Sequence, residues 1–373
     1  MFGVGLVVSI LPHKFIILSG SATGVGWLAA AFALAFVPIQ LPLGRWADRL
    51  GFRLFLTVGC LICAGAGLVY YMADALALLL VGRFLQGLGE IPIWSMAPAL
   101  LTRENPKKRG RYIGRYNAAI HIGLTAGCLA GFTGIFQGNT PFLIYSGVGF
   151  LAALGMGLAP RSAPHSIKQA PELNTPVLLQ WKGVVTITLA GIILYGAGYG
   201  IFLSNLPGYL MDVEGWSPNS IPLVLTIFYM GIGISQILAG RLSDAKGPLP
   251  VMTAGLSMAA LGFFLLPLVD PKGSLVLLGM AALGLGSFCV AALVQLTLAL
   301  PRIGEGQLAG YFYCFWGIGS FCIPLLLGKI WAPEHWQKGF NILACLWILI
   351  ALCCLVENQA THKASPRKIR IKQ

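Results

Sequence analysis

The chain is built from apolar runs close to 20 residues long, the length an α-helix needs to cross the hydrocarbon core of a bilayer. About twelve are legible, over 1–19, 24–43, 54–72, 75–101, 114–136, 140–160, 182–206, 220–239, 250–268, 274–300, 307–331 and 337–357. Backbone polar groups have no water to pair with in lipid, so segments of this kind must be helical. Only 10% of the residues are charged and 57% are hydrophobic, against roughly a quarter charged in soluble domains. The expected fold class is an all-α polytopic membrane protein with twelve transmembrane helices.

The Lys and Arg residues gather in alternate loops: Arg45, Arg49 and Arg53, then Arg103 to Arg115, then Arg161, Lys168 and Lys182, then Arg241 and Lys246, then Arg302, and finally a basic tail. The intervening loops hold little beyond Asp74, Asp212, Glu214, Asp270, Lys272, Glu334 and Lys338. Positive loops stay on the cytoplasmic side, so both termini are expected there, in the cytoplasmic (inner) membrane. The net charge of +13 then reflects topology, and no nucleic-acid partner is expected. The cysteines sit mostly inside apolar runs, where a thiol packs as a small hydrophobe, and Cys60 and Cys63 have no second ligand pair nearby. No metal, cofactor or disulfide framework is implied.

The opening run meets Pro12-His13-Lys14 after barely ten apolar residues. An interruption is expected there, with the first helix either short or beginning upstream of Met1, and with Lys14 snorkelling at the outer surface. A cleaved signal peptide fits poorly, because no basic region precedes the run. Between the sixth and seventh runs lies a polar, Pro-rich stretch. The chain therefore divides into an N-terminal six-helix bundle (1–160), a cytoplasmic linker (161–181), a C-terminal six-helix bundle (182–357) and a basic cytoplasmic tail (358–373).

One signature occurs in both halves: Gly44-Arg45-Trp46-Ala47-Asp48-Arg49-Leu50-Gly51-Phe52-Arg53 and Gly240-Arg241-Leu242-Ser243-Asp244-Ala245-Lys246-Gly247. Each copy follows the second apolar run of its half, so the chain reads as a duplicated unit. Gly44 permits close approach of helix ends, and Asp48 sets an anion where Arg49, Arg53 or a helix N-terminus of the other half can meet it.

The first copy resembles the loop motif between the second and third helices of the major facilitator superfamily, with Phe52 in place of a basic residue. In the second copy Ala245 stands where an Arg is common. The resemblance extends to helix count and linker position, and implies the major facilitator fold. It further implies a gate in which Gly44, Asp48, Arg49, Gly51 and Arg53, with Gly240 and Asp244, latch the cytoplasmic side in the outward-facing state. The run beginning near Gln307 is the expected receiver. Because Asp244 has only Arg241 and Lys246 as basic company, the first copy is expected to dominate.

In the fourth run, Arg83, Gln86 and Glu90 fall at i, i+3 and i+7 and share one helical face. Ions near the bilayer centre cost roughly 2.5–3.5 kcal/mol each, so that face is expected to line a central water-filled cavity. Pro92 and Pro98 free backbone carbonyls beside the acid and predict a kink. Glu90 is the expected proton carrier, with Arg83 and His121 as further proton-coupling groups; a structural ion pair is the plain alternative for Glu90, and an ordinary hydrogen bond for His121. The Arg-x-x-Gln-Gly step resembles the superfamily's fourth-helix motif. Gly87-Leu88-Gly89-Glu90 with Ala97-Pro98 and Arg109-Gly110-Arg111 resembles its Spinster-like branch, although the Asp-Arg pair of that branch's first helix is missing. Gly123, Gly127 and Gly131 form a small-residue stripe for close packing, resembling the antiporter motif with Cys128 where its Pro would stand.

Arg83, Gln86, Glu90, Tyr199, Asn205, Tyr229, Gln295 and Trp316 are the expected substrate contacts, with Tyr195, Gln236, Tyr311 and Tyr313 as further wall residues. An apolar wall with one acid and one Arg suits a small amphipathic or weakly charged organic solute better than a sugar. The expected function is secondary active transport by alternating access, probed as proton-coupled efflux, by a monomer whose partners are its small-molecule substrate, protons and the bilayer. Import of an organic anion or metabolite, or a sensor that binds without transporting, are the alternatives. No nucleotide loop, zinc-protease pattern or catalytic cluster is present, so no enzyme is expected.

Overall fold

A computed structural model describes residues 1–20, 26–104, 106–133, 135–136, 138–158, 183–217, 221–330 and 335–369, and all regular structure among them is helical. In chain order the first half holds α1 (Phe2–Ser19), α2 (Gly26–Leu50), α3 (Phe52–Met72), α4 (Leu76–Ile91), α5 (Ala97–Glu104), α6 (Arg109–Phe132) and α7 (Thr140–Leu158). The second half holds α8 (Gly183–Leu203), α9 (Asn205–Asp212), α10 (Ile221–Lys246), α11 (Pro248–Leu265), α12 (Pro271–Ala299), α13 (Glu305–Ile330) and α14 (Trp336–Ile369). Eleven stretches among the described residues are long and apolar enough to span a membrane. The twelfth long helix is α6, whose first two turns carry Arg109, Arg111 and Arg115 and whose middle holds Asn117 and His121. The expected linker at 161–181 lies outside the described residues, as do the side chains of the basic tail beyond 360.

Four expectations about boundaries need correction. α1 runs unbroken through Pro12-His13-Lys14. Proline's fixed φ suits a helix and removes one N–H, which membrane helices tolerate. Lys14 Nζ donates to the Tyr70 carbonyl at the end of α3 (2.7 Å) and to Asn139 Oδ1 (3.1 Å), which satisfies a terminal carbonyl with a cation. The duplicated signature is not a loop: it forms the last two turns of α2 and of α10, which stop at Gly51 (φ 93°) and Gly247 (φ 84°), backbone conformations that L side chains resist. The seventh run breaks at Ser204, so Asn205 begins the separate short α9. α14 stays helical to Ile369, so most of the expected tail continues that helix.

Within each half, glycines set the helix spacing. A Cβ on Gly127 would collide with the carbonyl oxygen of Phe2, and one on Gly123 would come within 3.1 Å of Met1 Cβ, so the small-residue stripe of α6 packs directly on α1. Gly127→Val is expected to cost about 1–3 kcal/mol through overpacking. Thermal unfolding in detergent should show a lowered Tm, whereas Gly155→Val, where a Cβ meets nothing within 4 Å, should leave Tm unchanged. The two halves meet along α2 with α13 and α6 with α10.

Candidate functional site

At the end of the bundle that carries the signature, both copies make the same contact with the opposite half. Asp48 at the end of α2 accepts from the backbone N–H groups of Gly306 and Gln307 in the first turn of α13, both at 2.9 Å. Asp244 at the end of α10 accepts from the N–H groups of Gly110 (2.8 Å) and Arg111 (2.9 Å) in the first turn of α6. First-turn N–H groups have no intrahelical acceptor and carry the positive end of the helix dipole, so a carboxylate there is doubly favoured. Close approach makes this possible: a Cβ on Gly44 would collide with the Gly306 carbonyl, and one on Gly240 with that of Gly110.

The register is constant: 44 to 240, 48 to 244 and 51 to 247 are each separated by 196 positions, and so are the receiving glycines 110 to 306 and 114 to 310. The same offset relates Gln40 to Gln236, one turn before Gly44 and Gly240. Both glutamines are fully buried; the amide of Gln40 has no hydrogen-bond partner among the described residues, and that of Gln236 lies beside His121 and Cys289. Gln236 stands opposite Gly114, whose Cβ would collide with the Gln236 carbonyl, and Gln40 stands opposite Gly310 in the equivalent place.

In the hydrogen bonds that cross to the opposite half, the two copies are alike. They differ in their surroundings, since Asp48 is half-buried and Asp244 is exposed. Arg53 is drawn elsewhere: its guanidinium donates to the Met156 (2.8 Å) and Gly157 carbonyls at the end of α7. Arg49 is exposed in the last turn of α2, where a cation complements the dipole.

Deep in the first half, Arg83, Gln86 and Glu90 do share a face of α4, and they form a chain of bonds rather than an ion pair. Arg83 Nη1 (2.8 Å) and Tyr70 Oη (2.6 Å) both donate to Gln86 Oε1; Gln86 Nε2 donates to Glu90 Oε1 (2.7 Å); Trp94 Nε1 donates to Glu90 Oε2 (2.9 Å). Arg83 also bonds the Leu28 carbonyl (3.2 Å) and lies 4.7 Å over the Phe32 ring, both on α2. This face does not line open water as expected: Gln86 is fully buried and Glu90 is 2% exposed. The plain reading of Glu90 as half of a direct ion pair also fails, because Gln86 stands between it and Arg83.

The expected kink is a wide π-helical turn, Pro92–Met96, in which the Ala97 N–H reaches back to the Pro92 carbonyl. Side chains satisfy two of the carbonyls around it, Ser95 bonding Ile91 (2.8 Å) and Tyr116 bonding Ile93 (2.6 Å). The turn points Trp94 at the second half. Its ring stacks on Trp316 of α13 (centroids 6.4 Å apart, planes at 21°) and lies 6.2 Å from Tyr313 and 6.1 Å from His121 of α6. Tyr199 of α8 meets Trp316 (5.3 Å) and His121 (6.4 Å), and Tyr229 of α10 lies 6.2 Å from His121. Tyr199, Tyr229 and Trp316 are thus brought to one wall shared by both halves.

Other expected contacts are not gathered there. Asn205 donates to the Pro324 carbonyl of α13 (3.3 Å), because the break at Ser204 takes it off α8. Gln295 is buried on α12, with no described contact to the wall. Tyr195 packs on Phe288 and Phe312 inside the second half and reaches the wall only through Tyr199, at 6.2 Å. His121 bonds the Asn117 carbonyl through Nδ1 (2.8 Å), while its buried Nε2 has no partner among the described residues. Trp94 and Gln40 are not singled out by the residues taken one at a time, and Gln236 is expected only at the wall; the signals are the Glu90-x-x-x-Trp94 spacing and the 196-residue register.

The family model for the Major Facilitator Superfamily matches this chain twice, over residues 1–217 and 188–372, in agreement with a duplicated unit. The chain belongs to the Major Facilitator Superfamily. It is 22% identical over 360 residues to the quinolone resistance protein NorA of Staphylococcus aureus (strain COL), covering 93% of this chain and 92% of that protein. It is 27% identical over 369 residues to multidrug resistance protein 1 of Bacillus subtilis (strain 168), covering 97% and 95%. Among solved structures, the fucose:proton symporter FucP of E. coli superimposes with a TM-score of 0.75 at 15% identity, covering 95% of both chains. The human organic anion transporter MFSD10 gives 0.71 at 15% identity over 95% of both. These likenesses show the major facilitator fold. As a member of the superfamily the chain is an integral membrane transporter and not an enzyme.

Proposed function

We propose that this superfamily member exports small amphipathic or weakly charged organic solutes across the cytoplasmic membrane in exchange for protons, both termini lying in the cytoplasm. One observation carries the reading: Glu90 is the one buried carboxylate among the described residues, and it is bonded directly to Trp94 of the aromatic wall between the halves. A lone acid in a membrane interior is costly and marks a proton or ion path. Quinolone and multidrug resistance are the stated roles of the two relatives, and both fit export of flat amphipaths. Counterflow in proteoliposomes tests the solute class. Ethidium and norfloxacin should exchange and compete with each other, while fucose and a small organic anion should not; exchange of fucose alone would overturn this class, and binding without exchange would make the chain a sensor.

Alternating access requires a gate, and the paired carboxylates are assigned to it. Asp48 and Asp244 latch the cytoplasmic end closed, holding the outward-facing state. Gln40 and Gln236 act against the latch, since a buried amide whose hydrogen bonds are incomplete costs roughly 1–3 kcal/mol that is recovered when the end opens to water. Gln40→Leu with Gln236→Leu is therefore expected to shift the resting population toward the closed gate by about tenfold or more. Spin labels placed at the signature ends of α2 and α13 report it as loss of the longer distance. An unchanged distance distribution would remove the glutamines from the gate.

A further inference from the structure

The hydrogen-bond inventory around Glu90 leaves the carboxyl no acceptor. Arg83 can only donate, so the oxygen of the Gln86 amide must face it, and Tyr70 fills the second lone pair of that oxygen. Gln86 is thereby prevented from flipping, and its NH2 must point at Glu90. The indole N–H of Trp94 is likewise a donor only. Glu90 as a carboxylate is satisfied on both oxygens; as a carboxylic acid, its new O–H would face an N–H. The protonated oxygen accepts more weakly and its proton has no acceptor in the chain of bonds, so one of the two donor contacts is weakened, and Gln86 is held by Arg83 and Tyr70.

Trp94 is the donor that can move. Its N–H has no bond besides the one to Glu90 among those described, its side chain is partly exposed, and it stands in the wide turn started by Pro92. Turns of this kind are recurrent at functional positions in helices. The ring that would move is the one stacked on Trp316 across the boundary between the halves.

We propose that Trp94 is the coupling residue: arrival of a proton on Glu90 releases the indole from the carboxyl, and the released ring rearranges the aromatic wall that it shares with Trp316. This rests on the reading of Glu90 as the proton carrier. Trp94 is a positioning residue here, acting on solute through its place in the wall. The titratable groups facing the pair are Arg83 on α4, Cys63 and Tyr70 on α3, Tyr145 on α7, Tyr229 on α10, the Met1 amino group and, beside the indole, His121 on α6 and Tyr313 on α13.

The test combines transport with 19F NMR of the full chain carrying 5-fluorotryptophan, the Trp94 line being assigned by its loss in Trp94→Phe. In the unmodified chain that line should move as pH is lowered, and in Glu90→Gln it should stay fixed; in His121→Gln it should still move. Trp94→Phe keeps a ring and loses the donor, so uphill accumulation driven by a pH gradient should fall about tenfold further than ethidium counterflow does. A Trp94 line that moves identically in Glu90→Gln overturns the proposal. So does full gradient-driven accumulation in Trp94→Phe when Glu90→Gln has lost it, which separates this failure from that of Glu90 itself. If Glu90→Gln accumulates normally, the reading beneath the proposal falls and the proposal with it.

Discussion

In Glu90→Gln, accumulation of ethidium driven by a pH gradient is expected to fall about tenfold or more, while counterflow of the same solute persists. The amide matches the carboxyl in size and keeps an oxygen to accept from Trp94 or Gln86, but it cannot bind and release a proton. Exchange needs only that the loaded carrier reorient, whereas uphill movement needs a proton on a group that faces both sides in turn. Gln in place of Glu90 also removes a charge from a site 2% exposed, so the fold should not suffer. Loss of both activities with a lowered Tm would instead mark Glu90 as part of the structural scaffold. Retention of both would place the coupling site elsewhere, with His121 next in line.

The latch pair should show the second large effect, and its two members should differ. A hydrogen bond involving a charged group contributes about 1.5–3 kcal/mol where it is shielded from water. Exposed charge contacts are worth a fraction of that. Asp48 is half-buried and Asp244 is exposed, with the same pair of N–H donors each. Asp48→Asn is therefore expected to shift the resting population toward the open cytoplasmic gate by about tenfold, and Asp244→Asn by about twofold. Labelling of a single introduced cysteine behind the gate, after removal of the native thiols, measures both. High salt should narrow the difference little, because the shielded member dominates. Equal shifts would show that burial does not set the strength of the latch, and no shift in either would leave the contacts without a role in gating.

Much of the architecture was legible because lipid imposes one rule on every span. α6 would be lost to a hydropathy threshold, since its arginines sit in the first two turns, yet its glycine stripe and length mark it. Boundaries were harder. α2 and α10 continue through polar residues to Gly51 and Gly247 because a helix in contact with the opposite half no longer needs an apolar surface. The break at Ser204 is announced only by Pro207, whose missing N–H and ring bar a helical bond back to Leu203; the apolar run continues past it, and so Asn205 was misplaced.

For the site, helical spacing alone put Arg83, Gln86 and Glu90 on one face. It could not show that Gln86 separates the other two, which depends on Tyr70 arriving from α3. Spacing alone does not mark Trp94, because an aromatic four residues after an acid acquires meaning only when the wide turn aims it across the boundary. Gln40 is unremarkable singly and Gln236 reads as a wall residue; they become a pair only in the 196-residue register that the signature glycines share.

The central claim is that this carrier moves an amphipathic solute against its gradient at the expense of protons passing through Glu90. Purified protein in liposomes, given an inward or outward pH gradient and external ethidium, tests it most directly. Ethidium should accumulate only when the lumen is acidic, collapse on addition of a protonophore, and fail to accumulate in Glu90→Gln. Accumulation that ignores the direction of the gradient, or that survives the protonophore, would contradict it.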